Sequence, residues 1–528
     1  MKMIEFKRIL ALVLIVFMCG SLLFTSCGEA EELTGGDRSS VDTVPSETFD
    51  KDGGATNSAP TGGISETDKN PTDSSAAMDE GDAIKPPSID PTEEWRGQSL
   101  NVLATTWESD TPSAPWSQAE LTVGEGNFDS DVGYGRKINN AVILRNKYIS
   151  EKYGVTVNWI SARSGQIGAV LMEAQATDSI KYHIAMPRAG EAQSLVKNGL
   201  VYDLAGREHI DLSSSYYTQA AIEAYTVSGH TLFVSGDFGF LDKSSAYVTF
   251  YNASMIDCLT ERPDLYELVR QGEWTVEEMI NVASLFSKND KEAAWTDGDT
   301  YGFGAQGMVQ FYGYGEIRQV SVDITGYKLT DSHPYLFHVI ESVMEINGSY
   351  WSRTRWDVSP VSAFNEGRLA FYNAPLCEIE QFENTNEYFG VGILPNPTVG
   401  IGQAEHYTLV GAEATLMCVP RTTDDRVMSD VFVEVLSKTG QEFITPAYLE
   451  KISLRLDPET AEQSMEMLTE YVFDGMIYDQ GYINNTLTEV FESMYVRYSG
   501  MIPDNTALIE AAEETVEAWN KSWFSYTE

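Results

Sequence analysis

Eight side chains stand where strand-like apolar runs give way to loops: Trp107, Arg188, Asp237, Phe238, Tyr312, Trp351, Tyr372 and Tyr407. Flat aromatic faces stack on the apolar faces of pyranose rings, and carboxylates, amides and guanidinium groups hydrogen-bond the hydroxyls. These types together suit non-covalent capture of a polyhydroxylated solute in a cleft. Trp107 follows the first apolar run, and Arg188 ends HIAMPR. Asp237 and Phe238 occupy a Gly-rich joint, and Tyr312 lies in a Gly- and aromatic-rich loop. Trp351 precedes Arg353, Tyr372 ends the AFYN run with Asn373, and Tyr407 sits in a later loop. For each aromatic residue, core packing is the competing reading. Trp274, beside a helix start, reads as a structural staple.

Covalent chemistry finds no support. Gly302, Gly304 and Gly307 spell GxGxxG, but a dinucleotide loop needs a helix to follow, and MVQFYGYGE has no helical start. P-loop, HExxH and GxSxG motifs are absent from the sequence. The six histidines (183, 209, 230, 333, 338, 406) lack metal-ligand spacing, and Asn289, Asp290, Asp297 and Asp299 break the spacing of a calcium loop. We expect no catalytic residue, no cofactor and no metal.

The elements that must position the eight residues alternate. SLNVLATT (99–106), VTVNWI (155–160) and YHIAMPR (182–188) read as strands. Between them, 137–153 and 167–177 carry apolar residues at helical spacing, and EAQSLVKNGL ends at Gly199. Residues 230–252 hold two strands around a polar joint. Thr275 and Glu278 form a capping box for a helix over 272–288. FNEGRLAFYN (364–373) reads as a helix end and a strand, and YFGVGILPNP as a strand closed by prolines. Helical pattern dominates 459–473 and 507–523. This is an α/β chain with mainly parallel sheets.

The 528 residues carry 35 basic and 79 acidic side chains, a net charge of −44, which excludes nucleic-acid binding for want of a basic footprint. Residues 1–26 read as a signal peptide: Lys2, Lys7 and Arg8 precede an apolar run that is too short to span a bilayer. Thr25–Ser26–Cys27 follows, small residues before a cysteine. Residues 27–95 read as an acidic Ser/Thr/Gly/Pro-rich disordered tether, with 17 acidic against 4 basic residues over 28–95. Five cysteines are too few for a disulfide scaffold.

The order of these segments resembles bacterial extracellular solute-binding lipoproteins of ABC importers, in the sugar-binding group, over essentially all of 96–528. The landmarks are the lipobox, NNAVILRNKYISEKYGVTV (139–157), NGLVYDLAG (198–206), SGHTLFVSGDF (228–238), VTFYN (248–252), DLYELVRQGEWTVEEM (264–279), FNEGRLAFYN (364–373), GILPNP (392–397) and AEHYTL (404–409). The resemblance implies lipidation of Cys27, so a membrane-anchored protein on the outer face of the cytoplasmic membrane. It implies a two-lobed periplasmic-binding-protein-like fold, each lobe a mainly parallel sheet flanked by helices, with the ligand cleft between lobes. Crossings are expected near Gly236–Ala246, near Ala363–Gly367 and after Gly411. Residues 96–240 with 366–415 form the first lobe, and 241–365 with 416–528 the second. The implied function is a monomeric, non-enzymatic substrate-binding subunit that captures a carbohydrate, an oligosaccharide for preference, and delivers it to ABC permease subunits. The rivals are a receptor of the same fold for a peptide or polyamine, a non-transport sensor or adhesin, and a secreted hydrolase.

Overall fold

SLNVLATT forms strand β1 (Ser99–Thr106), with Leu100, Val102, Leu103 and Ala104 all fully buried. A run apolar on both faces suits a strand covered on both sides. The computed structural model describes residues 95–106, 133–289, 295–305, 307, 309–330, 333–354, 360–382, 390–400, 402–484, 487 and 506–527. Helix α1 (Gly133–Tyr153) returns the chain to β2 (Thr156–Arg163), and α2 (Ile167–Thr177) leads to β3 (Ile184–Met186). β1 pairs in parallel with both β2 and β3. Helix α3 (Ala192–Lys197) follows, and Gly199 (φ 63°) takes the left-handed conformation just after its end.

After α4 (Gln219–Ala224) and the hairpin β4 (Thr226–Val227) and β5 (His230–Thr231), the chain crosses to a second lobe. There β6 (Tyr247–Asn252), β7 (Ser287–Lys288), β8 (Thr300–Ala305), β11 (Ser352–Arg353), β12 (Leu369–Pro375) and β13 (Val391–Leu394) form a six-stranded sheet. Its order is β11-β8-β12-β6-β13, with β7 on β8. β8 is parallel to β11 and β12, while β6 is antiparallel to β12 and β13. The reason is topological. β6 starts at the crossing, where Tyr247 lies opposite Pro375, the last residue of β12.

Helix α5 (Val276–Ala283) starts at the expected cap, with Thr275 Oγ1 accepting from Glu278 N at 3.1 Å. It is shorter than expected, because Ser287 and Lys288 pair with β8. Trp274 is fully buried and donates from Nε1 to Pro395 O at 2.9 Å. Gly302 and Gly304 lie within β8. A Cβ on Gly302 would stand 1.7 Å from Ala283 O, so this glycine serves strand–helix packing. A hairpin of β9 (Val320–Asp323) and β10 (Gly326–Leu329) precedes α6 (Leu336–Gly348). Later come β14 (Thr408–Leu409), α7 (Arg426–Ser453), β15 (Met476–Ile477) and α8 (Thr506–Phe524).

The lobes are divided differently from the expected boundaries. β12 and β13, expected in the first lobe, belong to the second sheet. Residues 417–420, expected in the second lobe, bridge Val234, Ala185 and Val201 of the first, continuing from Thr415, which bridges Arg188. α7 packs on α1, and α8 packs on α3. No crossing occurs at Ala363–Gly367, where helix Val361–Asn365 and a turn feed β12 directly. The physical reason is that β12 is buried along nearly its whole length, so its local pattern suits either sheet. The crossings observed are 235–247 and 410–415, which run side by side where Ala246 bridges Val410, and the chain after α7.

Trp95, expected in the tether, belongs to the fold: it is 1 % exposed and donates from Nε1 to Asp425 at 2.8 Å. The signal segment, Cys27, the rest of the tether and Trp107 lie outside the described residues.

Candidate functional site

In open α/β sheets, ligands bind beyond the carboxyl ends of the strands. Here β3 and β12 end beside the crossings, where Arg188 bridges Thr415 and Pro375 lies opposite Tyr247. From the first lobe, β3 runs into Arg188, which is buried and donates from Nη1 to Thr415 Oγ1 at 2.6 Å. Its Nε lies 3.8 Å from the Glu413 carboxylate, whose side chain is one-third exposed. Burial raises the Glu413 pKa, and Arg188 partly offsets this.

From the second lobe, β12 ends in a short 3-10 helix, Leu376–Gln381. Glu378 on that helix accepts from Tyr372 Oη at 3.2 Å and from Gln381 Nε2 at 2.9 Å. Burial pushes its carboxyl up to about 7, although both hydrogen bonds pull the other way. At neutral pH such a group both donates and accepts. Arg188 with Glu413 beside the returning crossing, and Tyr372 with Glu378 beyond the end of β12, are thus two separate polar pairs near the crossings. Tyr247, at the start of β6, lies near Glu378 and accepts from Tyr482 Oη at 2.8 Å.

An amide hub fixes these strand ends. Asn396 Nδ2 donates to Tyr247 O (3.2 Å), Tyr407 O (3.3 Å) and Thr408 Oγ1 (3.1 Å). Asn373 Nδ2 donates to Asn396 Oδ1 at 2.9 Å and to Val248 O at 3.1 Å. Through this hub β6, β12, β13 and the Tyr407 segment are held in register. Tyr407 is half-buried, and its hydroxyl pKa is raised to about 12 by burial and by the Glu316 carboxylate beside it.

Of the eight candidates, Arg188 pairs with Glu413, Tyr372 bonds Glu378 while its ring packs in the core against Phe250, Phe364 and Phe382, and Tyr407 stands just before the 410–415 crossing. Asp237 is only 6 % exposed and is consumed internally. It accepts from Lys243 Nζ (2.8 Å), Thr445 Oγ1 (2.8 Å) and Gln441 Nε2 (3.0 Å). Phe238 lies in the first-lobe core, and its carbonyl accepts from Arg145. Tyr312 and Trp351 lie in the second-lobe core beside Phe303, Phe311 and Ile340. For these three, core packing is what the fold uses. Asp297 and Asp299 serve local structure: Asp297 pairs with Arg353, and Asp299 accepts from Thr296 N at 2.7 Å. Among the described residues, no cluster of three His, Cys, Asp or Glu is placed to hold a metal ion.

The model of the bacterial extracellular solute-binding protein family matches residues 145–442. The chain belongs to that family. As a solute-binding protein it binds and does not catalyse. Three solved structures are similar to it. One is an ABC substrate-binding protein from Listeria monocytogenes in complex with cycloalternan (14 % identity, 81 % of this chain and 99 % of that one, TM-score 0.46). The second is the sugar-binding protein MalE from Xanthomonas citri (11 %, 81 % and 99 %, TM-score 0.49). The third is the galacto-N-biose-/lacto-N-biose I-binding protein from Bifidobacterium longum (10 %, 80 % and 97 %, TM-score 0.47). No curated protein matches the chain.

In this solute-binding protein, sequence reasoning missed Glu378, Glu413, Tyr247 and Tyr482. Position would have found two of them. Glu378 stands three residues after the proline that ends β12, and Glu413 stands between Gly411 and the returning strand. Tyr482 gave no local signal: its partner Tyr247 is 235 residues away. Among the described residues, no helix is long and apolar enough to cross a membrane.

Proposed function

We propose that this solute-binding protein captures a neutral carbohydrate, an oligosaccharide for preference, between its lobes and delivers it to the membrane subunits of an ABC importer. The observation that carries this reading is the seam itself. The groups that support it are Tyr372 with Glu378, the Tyr247–Tyr482 hydroxyl pair, and Arg188 with Glu413, each close to a crossing. Such a set exchanges hydrogen bonds with hydroxyls and demands no ligand charge. Closing the lobes would withdraw those bonds from water, the physical basis of tight binding by a hinged receptor. Anchoring as a monomer through lipid on Cys27, on the outer face of the cytoplasmic membrane, completes the proposal. The acidic tether would then hold the head off the surface.

A cationic solute, such as a polyamine or a basic peptide, is the second reading, because Glu378 and Glu413 each lie close to a crossing. Thermal unfolding across a panel of neutral oligosaccharides, polyamines and peptides separates the two. A ligand bound only by the folded state adds ~2.7 kcal/mol at 100 times Kd. A shift that grows with the concentration of one glycan class supports the first reading. A shift with polyamines or peptides alone overturns it.

A further inference from the structure

Within the second-lobe segment, one piece of chain leaves and returns. Ile317 lies in the second-lobe core with Phe311 and Val339, and Leu336 rejoins that core. Between them the β9–β10 hairpin packs on first-lobe elements, α4 and β4. Tyr327 Oη donates to Ala224 O, at the end of α4, at 3.1 Å. Gln319 N and Val320 N donate to the buried Asp479 carboxylate, at 2.6 and 3.1 Å.

Helix α8 fastens the hairpin from outside. The Asn520 side chain accepts from Tyr327 N at 2.6 Å and donates to Tyr327 O at 2.8 Å, so it completes the strand edge as a neighbouring strand would. Trp519 and Trp523 each meet the Tyr327 ring edge-on at 5.9 Å. Gly326, at φ 112°, permits the approach, because a Cβ there would stand 2.4 Å from Asn520 Oδ1. α8 is itself tied to the first lobe: Trp523 Nε1 donates to Gln193 Oε1 on α3 at 3.1 Å.

The root of the hairpin is charged and bent. Glu316 adopts φ 59°, in the left-handed region unusual for a non-glycine residue. Arg318 reaches Glu316 of its own lobe at 3.2 Å and Glu223 of α4 at 3.8 Å.

We propose that the β9–β10 hairpin is a strap from the second lobe to the first, locked by Asn520 of α8, that limits how far the cleft opens. The covalent crossings permit rotation of one lobe against the other. That rotation must either bend the root at 316–318 or shear the hairpin from α4 and α8. This inference needs the two lobes, not any particular ligand.

The test is a spin-label distance measurement in the full chain with Cys19, Cys27 and Cys258 replaced by serine. Labels go on Leu144→Cys in α1 and Leu285→Cys beyond α5, which are 52 % and 63 % exposed, one in each lobe. Without ligand, Asn520→Ala should broaden the distance distribution and extend it to longer separations. Amide exchange over 320–329 should quicken at least tenfold. An unchanged distribution overturns the proposal, whether or not the hairpin amides exchange faster. Should Asn520→Ala fail to fold, Glu223→Gln changes only a largely exposed carboxylate. It should broaden the distribution less, and an unchanged distribution there likewise overturns the strap.

Discussion

The Lys243 ammonium lies 2.8 Å from the Asp237 carboxylate, and both are buried in the first crossing between the lobes. Asp242 stands on the other side of Lys243 at 3.6 Å. Burial alone would pull the Lys243 pKa down; Asp242 and Asp237 outweigh it and leave the lysine charged. The carbonyl of Asp237 also fills the space a Cβ of Gly440 would take, 1.9 Å away, so α7 rests directly on the crossing. Asp237 therefore anchors the hinge, with three of its roughly four acceptor positions taken by Lys243, Thr445 and Gln441.

Replacing Asp237 by alanine strands part of a buried charge and frees Thr445 and Gln441. Loss of one partner of a buried ion pair costs about 3 kcal/mol. Equilibrium urea unfolding should show that loss. A loss below about 1 kcal/mol would return Asp237 to the list of ligand-facing residues.

Glu378 predicts a pH dependence. Its pKa rises from 4.5 unfolded to about 7 folded, so between these values the native state binds more protons than the unfolded chain. Its contribution is fully present below about pH 4.5 and fades as pH rises through 7, roughly 3 kcal/mol in all. Glu378→Gln should abolish this share of the pH dependence. The melting temperatures of variant and wild type should diverge between pH 4.5 and about 7 and run parallel above that. Curves parallel throughout would contradict the assignment.

Gly302→Ala places a methyl group 1.7 Å from Ala283 O, so β8 and α5 must separate. We expect no soluble folded protein, or a loss of at least about 3 kcal/mol. A variant of unchanged stability would refute the packing role assigned to the GxGxxG match.

At the seam, Glu413→Gln and Tyr482→Phe each remove one hydrogen-bonding function at a partly exposed position. Each should weaken binding of the glycan found by thermal screening about tenfold, near 1.4 kcal/mol, by calorimetry. Melting without ligand should stay within a degree or two for Tyr482→Phe and fall by a few degrees for Glu413→Gln, which leaves the buried Arg188 without its carboxylate. Unchanged affinity in both would move the site elsewhere.

Cys27→Ser should move the protein from the membrane fraction to the soluble fraction of its cells, since it removes the proposed thioether-linked lipid. Retention in the membrane fraction would argue for another anchor.

Local pattern carried much of the fold. β1, α2 and α8 stand within about a residue of where apolar spacing put them, because period and caps are short-range properties. Trp274 and the Thr275 cap were legible for the same reason. The solute-binding family was legible in the order of segments. Lobe membership was not legible. β12 is buried on both faces, so only its pairing with β6 and β8 decides which sheet it joins. Nor could types alone tell a ligand-facing aromatic from a core one: Tyr312 and Trp351 turned into the second core, while Tyr247 and Tyr482 met at the seam. Residue type and short spacing fix what a segment is. Which side chains meet depends on partners hundreds of residues away, and tertiary structure alone decided that.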